Sequence, residues 1–124
     1  MRDFLHWIPT LVLAVAIFTV SHKSNPPGAD LAPDYVAHFL AYGLFALTLV
    51  WGWTKGLKGQ LELRVVPWLW VAATLYGVLD EVHQAFVPNR HPSFQDVLAD
   101  SVGALVAVLG SYWILRVWKN RPEA

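Results

Sequence analysis

Two adjacent carboxylates, Asp80 and Glu81, lie inside a long apolar stretch, with His83 and Gln84 close behind them. A carboxylate near the centre of a bilayer costs about 2.5–3.5 kcal/mol on insertion scales, so two in a row demand compensation. Arg90, His38, His83, trapped water or a bound ion could supply it. Neighbouring residues of a helix point about 100° apart, so the two acids cannot share a single partner. The expectation is that one pairs with His38 or Arg90 while the other lines a cavity. Asp34, His38 and Tyr42 are spaced four apart and share a second helix face. Ser93, Asp96, Asp100 and Ser101 open a further apolar run. A carboxylate facing an imidazole suits general acid–base work, with Glu81 or Asp80 as the base and His38 as acid or metal ligand. The same donors could hold a divalent metal, although no paired-histidine spacing is present. The Arg90 guanidinium suits phosphate or carboxylate through bidentate bonds.

The elements that would position these groups are four apolar runs, Phe4–Val20, Val36–Trp53, Val65–Val87 and Val97–Trp118. Each approaches the roughly 20 residues a helix needs to cross a bilayer. Strands are a poor reading, because the runs are too long and lack period-two alternation. The expected fold is therefore all-α, a single domain over residues 1–124 built as a four-helix transmembrane bundle. The first run could instead be a signal peptide, but Val20-Ser21-His22-Lys23 offers no small-residue cleavage pattern, so a retained helix is expected. With both termini cytoplasmic, Arg2, Lys55, Lys58, Arg64, Arg116, Lys119 and Arg121 fall inside and only Lys23 and Arg90 outside, a marked positive-inside bias. Trp7, Trp51, Trp53, Trp68, Trp70, Trp113 and Trp118 then all sit at the cytoplasmic helix ends, where indole rings anchor well. The polar groups gather at the opposite, outward end. Counting helix rise from Val87, Asp80 lies roughly 10 Å below that end.

Several of these residues also have plain structural readings. Ser93 and Asp96 have the spacing of a capping box, with Pro92 just before it. Asp34 after Pro33 could open its helix, with His38 bonded to it one turn on. Asp100 lies a turn too deep for capping. The whole set could be a salt-bridge network that fixes helix register. Ala99, Gly103, Ala107 and Ser111 form a small-residue stripe suited to close helix packing, within the bundle or between copies.

Composition narrows the alternatives. The 124 residues leave room for one domain, 56% are hydrophobic and 15% charged, and the formal net charge is +0. No basic field argues for nucleic acid. The absence of cysteine removes disulfides, thiolate metal sites and cysteine nucleophiles.

Three stretches carry a family resemblance. Asp34-Tyr35-Val36-Ala37-His38-Phe39-Leu40-Ala41-Tyr42 resembles the first motif of VanZ-like membrane proteins. Asp80-Glu81-Val82-His83-Gln84-Ala85-Phe86-Val87-Pro88-Asn89-Arg90 is similar to their second, and Ser93-Phe94-Gln95-Asp96-Val97-Leu98-Ala99-Asp100-Ser101-Val102-Gly103-Ala104 to their third. Two departures stand out: Tyr35 where the family pattern usually has lysine, and Asp100 where it usually has asparagine. Both make the cluster more negative, which favours a cation or shared protons over a strongly positive phosphate pocket. The resemblance implies a bacterial cytoplasmic-membrane protein, in a family named for a protein linked to low-level teicoplanin resistance.

The leading expectation is a protein that binds an envelope lipid or lipid-linked precursor at the outer leaflet. The headgroup would meet Arg90, Asp34, His38, Tyr42, His83, Gln84, Ser93, Asp96 and Asp100. The alternatives are an intramembrane acid–base or metal-assisted enzyme using Glu81, Asp80 and His38, and a non-catalytic membrane partner. Homo-oligomers could form through Gly103, Ala107 and Ser111. A proton-coupled transporter has little gating machinery in four helices.

Overall fold

The computed structural model describes residues 2–122. Among them are four α-helices and no strand: α1 (Ile8–Ser21), α2 (Asp34–Trp53), α3 (Val66–Gln84) and α4 (Phe94–Lys119), with a turn of 3-10 helix over Asp3–Trp7 leading into α1. Pro9 and Pro67 stand in the first turns of α1 and α3, where a missing N–H breaks no intrahelical bond. The bound expected for the third helix is corrected. It stops at Gln84, not Val87, because Val87 N–H bonds Gln84 O and Arg90 N–H bonds Val87 O in tight turns, with Asn89 at φ 62°. By helix rise Asp80 then lies about 6 Å from the helix end instead of about 10 Å.

Three segments are long and apolar enough to cross a membrane: Asp3–Ser21, Asp34–Trp53 and Phe94–Lys119. Around them the surface is strongly apolar, with Leu11 65%, Trp68 74% and Ile114 70% exposed. Such a surface suits lipid, not water. On α1 only Thr10, Ile17 and Ser21 are buried, so that helix lies at the edge of the bundle.

α2 is the central helix and packs most extensively on α4. The two run in the same direction. His38, near the start of α2, meets Asp100, near the start of α4, while Lys119 at the end of α4 bonds the Lys58 and Gly59 carbonyls just beyond α2. Their close approach depends on Gly103. A Cβ there would fall inside the van der Waals envelope of the Phe39 carbonyl oxygen, and one on Gly43 would lie 3.4 Å from the Gly103 oxygen. The leading member of the small-residue stripe is thus engaged within the chain. Ala107 and Ser111 stay half-buried, and the Ser111 hydroxyl donates back to the Ala107 carbonyl.

The core follows from this packing: Tyr42, Phe45, Ala46, Leu49 and Val50 of α2 meet Ala73 of α3 and Ala104, Val108 and Tyr112 of α4. Trp70, in the second turn of α3, is half-buried. Its indole N–H donates into the bundle, to the Ser101 carbonyl at 3.0 Å, which ties α3 to α4.

Candidate functional site

The starts of α2 and α4, the end of α3 and the end of α1 converge, and the polar residues come with them. On α3, Asp80 turns toward α1. Its Oδ2 accepts from the Ser21 hydroxyl at 2.8 Å and from the Gln84 amide at 3.2 Å. Gln84 in turn accepts with Oε1 from Arg90, at 3.1 Å from Nε and 2.7 Å from Nη2. Of the two partners expected for an acid, His38 or Arg90, it is His38 that stands beside one, its Nε2 3.6 Å from Glu81 Oε1. The turn after α3 folds the Arg90 guanidinium back over the end of its own helix, onto the Gln84 side-chain oxygen. Ser21, Asp80, Gln84 and Arg90 form one continuous chain of hydrogen bonds.

Glu81, one step and about 100° round the helix, turns toward the start of α4. Its Oε2 accepts the backbone N–H of Ser93 at 2.8 Å, while Ser93 caps α4 by accepting from Gln95 N–H at 3.1 Å. The capping box expected from Ser93 and Asp96 is therefore half right. The serine caps, but the acid that answers its N–H comes from α3, which releases Asp96 from that duty. Buried Asp96 lies beside Asp34 and His38, close enough for one atom from each to lie within 4.8 Å of the others.

His38 is corrected in the same manner. Its Nδ1 pairs with Asp100 Oδ1 at 2.8 Å and not with Asp34: at the level of His38 this face of α2 is covered by α4, whereas one turn earlier Asp34 stays exposed. Asp100 is fully buried, and it fits because the facing position on α3 is Gly77, where a Cβ would lie 2.5 Å from Oδ2. The other imidazole nitrogen, Nε2, lies 3.6 Å from Glu81 Oε1. Tyr42 stacks parallel to His38 with centroids 6.2 Å apart. The Tyr42 hydroxyl, Glu81 Oε1 and Asp100 Oδ2 are buried without a hydrogen-bond partner.

Nine of the expected site residues thus come together: Asp34, His38, Tyr42, Asp80, Glu81, Gln84, Arg90, Asp96 and Asp100. Ser93 joins them as a structural cap. His83 does not. Two residues beyond Glu81, it emerges on the other side of α3, where its Nε2 lies 3.1 Å from His22 Nδ1 and its ring stacks on Phe18 at 4.4 Å. Ser21 escaped sequence reasoning. The only signal for it was its place as the first polar residue after the apolar run Phe4–Val20.

A cavity of about 390 Å³ opens beside the cluster, between α1 and α2 and under the segment Pro26–Ala32. Ser21, Asp34, His38, Tyr42, Asp80 and Arg90 form its polar part, and the rest of its wall is apolar. Val20 and Leu40 line it and are also exposed on the outside of the bundle, at 45% and 63%, so the cavity is open sideways. The arrangement offers carboxylate oxygens, one imidazole and a guanidinium at the end of an apolar slot. Acid–base exchange, cation ligation and recognition of an anionic group are all within its chemistry.

Compared with known proteins, the chain is matched by the family model described as VanZ/LLP1 over residues 2–116. No curated protein and no solved structure matches it.

Proposed function

The chain belongs to the VanZ/LLP1 family, and from that premise we propose that it is a bacterial cytoplasmic-membrane protein that captures an envelope lipid or lipid-linked precursor. The lipid tails lie between α1 and α2 and the headgroup meets Arg90 and the His38 cluster. The observation that carries this reading is the sideways cavity: apolar where it faces the outside of the bundle, and polar at the end where the four helices converge. A water-borne substrate gains nothing from an apolar side entrance, whereas a lipid can enter tail-first without leaving the bilayer.

In this reading all four helices cross. Since α2 and α4 run the same way, the chain must return across the same thickness between them, and α3, with 19 residues, is the segment that does so. Its last turn and a half, with Asp80, Glu81, His83 and Gln84, is less apolar because it is built to face partners. Both termini are cytoplasmic and the cluster faces outward, in keeping with the lysine and arginine distribution.

Arg90 uses two of its five N–H groups on Gln84 and lines the cavity, so the remaining donors can meet a phosphate. Native mass spectrometry of gently extracted protein is expected to find a phosphorus-containing lipid on the parent chain. Loss of a charged hydrogen-bond donor is worth about 1.5–3 kcal/mol, so Arg90→Ala should weaken retention roughly 10- to 100-fold. Equal lipid occupancy in the two proteins would sink this pose. Where the captured lipid is a cell-wall precursor, loss of the protein is also expected to alter teicoplanin susceptibility.

A second reading, an intramembrane hydrolase or transferase acting on the same headgroup, is favoured by one observation. Asp100 and Glu81 flank His38, one carboxylate at each imidazole nitrogen. An Asp-oriented imidazole is the arrangement that acid–base and metal-assisted chemistry both use. Glu81→Gln is expected to abolish turnover of the retained lipid while leaving its retention near the parent level. Undiminished turnover in that variant removes Glu81 from the chemistry.

A further inference from the structure

We propose that His38, Asp80 and Glu81 hold a divalent transition-metal ion of the zinc or manganese class, with Asp100 orienting the ligating imidazole. The site opens on the cavity proposed for the lipid, but all three ligands come from the bundle itself, so metal binding can be measured whether or not a lipid is held.

Four observations converge on it. First, one ligand atom from each of His38, Asp80 and Glu81 lies within 4.8 Å of the other two, and all three residues are buried. Second, His38 Nε2 and Glu81 Oε1 are 3.6 Å apart, beyond hydrogen-bond range. Two atoms about 2.0–2.2 Å from a shared ion, at an angle of about 110–120°, would be roughly 3.3–3.8 Å apart. Glu81 Oε1 has no other partner, although Glu81 is 5% exposed. Third, the Asp100 contact engages Nδ1 of His38, which leaves Nε2 free to ligate. This is the carboxylate–histidine–metal relay in which the outer acid fixes ring orientation and raises ligand basicity. Fourth, charge is out of balance. Asp80, Glu81, Asp96 and Asp100 are buried, whereas Arg90 is bonded to the neutral Gln84 and His38 is the one imidazole among them. Both hydrogen bonds to Asp80 fall on Oδ2, so its second oxygen can turn to the ion.

A mixed set of one nitrogen and two carboxylate oxygens suits zinc, manganese or iron better than magnesium or calcium, which favour all-oxygen shells. Three protein ligands also leave a coordination position toward the cavity, where Tyr42 presents its unpartnered hydroxyl.

The test uses the full chain in detergent, stripped with chelator and titrated with Zn2+, with bound metal quantified per chain. One equivalent is expected. His38→Gln and Glu81→Gln should each weaken Zn2+ binding at least about 100-fold, and Asp100→Asn roughly 10- to 100-fold, as loss of an outer-shell partner does. His22 and His83, 3.1 Å apart, are the competing place for zinc, so His83→Gln serves as the control and should leave affinity unchanged. Co2+ loading guards against variants that merely misfold. The parent should give the intense visible absorption of a four- or five-coordinate site, with a pattern of one nitrogen among oxygens. Binding lost in His83→Gln but kept in Glu81→Gln overturns the proposal. So does a stoichiometry far below one, or a weak six-coordinate Co2+ spectrum.

Discussion

Gly103→Ala is expected to destabilise the protein by on the order of 3 kcal/mol, a large effect for a single added methyl. At most helix positions alanine improves on glycine by about 1 kcal/mol, so the expected sign here is reversed. The cause is local: the new Cβ meets the Phe39 carbonyl oxygen, which is backbone and cannot rotate aside. To relieve the overlap α2 and α4 must separate, and Ala46, Ala104 and Val108, all fully buried, would lose packing together. The separation would also part His38 from Asp100. Thermal unfolding in detergent, followed by the tryptophan fluorescence, should show a markedly lower midpoint for Gly103→Ala. Gly110→Ala is the control, because a Cβ at Gly110 meets nothing within 4 Å. Equal midpoints for the two variants would refute the α2–α4 contact as described. Gly103→Leu is a poor probe of association between copies for the same reason, since it should disrupt the fold first.

The second large effect concerns the His38–Asp100 pair. Removing one partner of a buried ionic or strongly polar pair costs about 3–5 kcal/mol, because the other is left without compensation. His38→Ala is expected to fall in that range, with Asp100 stranded at 0% exposure against Gly77. Adding Asp100→Leu to His38→Ala should recover much of the loss, since an apolar side chain replaces the stranded carboxyl. The coupling between contacting residues should then be well outside the roughly 0.3–0.5 kcal/mol scatter of independent sites. Chemical denaturation of the two single variants and the double variant measures it. Additive effects would mean that the two side chains do not act as a pair.

How far the sequence could anticipate this site depended on which geometric question was asked. Residues on one helix could be placed relative to one another. Asp34, His38 and Tyr42 do share a face and all line the cavity, and Asp80 and Glu81 do point to different partners. Facing pairs could not be read, because apolar runs carry no information on how far one helix is rotated or slid against the next. Rotation decided that Glu81, and not Asp96, answers the Ser93 N–H. Sliding decided that His38 meets Asp100, 62 positions away, in place of Asp34 four positions back. His83 shows the limit most plainly. Two residues of helix carry a side chain about 200° round the axis, so nearness in sequence to Glu81 placed it on the wrong side.

The parallel course of α2 and α4 has a consequence for how the chain is made. The groups that satisfy α3 are split between what is synthesised before it and what comes after. Ser21, the partner of Asp80, and His38, which faces Glu81, are already present when α3 emerges; the Ser93 N–H that holds Glu81, and Asp100 that holds His38, are not. If α3 crosses as proposed, it cannot settle on its own merits. It should wait at the insertion machinery until α4 arrives and enter with it as a hairpin. A chain truncated before Ser93 would then leave its third helix on the cytoplasmic side of the bilayer, accessible to membrane-impermeant labels in inverted membrane vesicles, even though its first two helices had inserted normally.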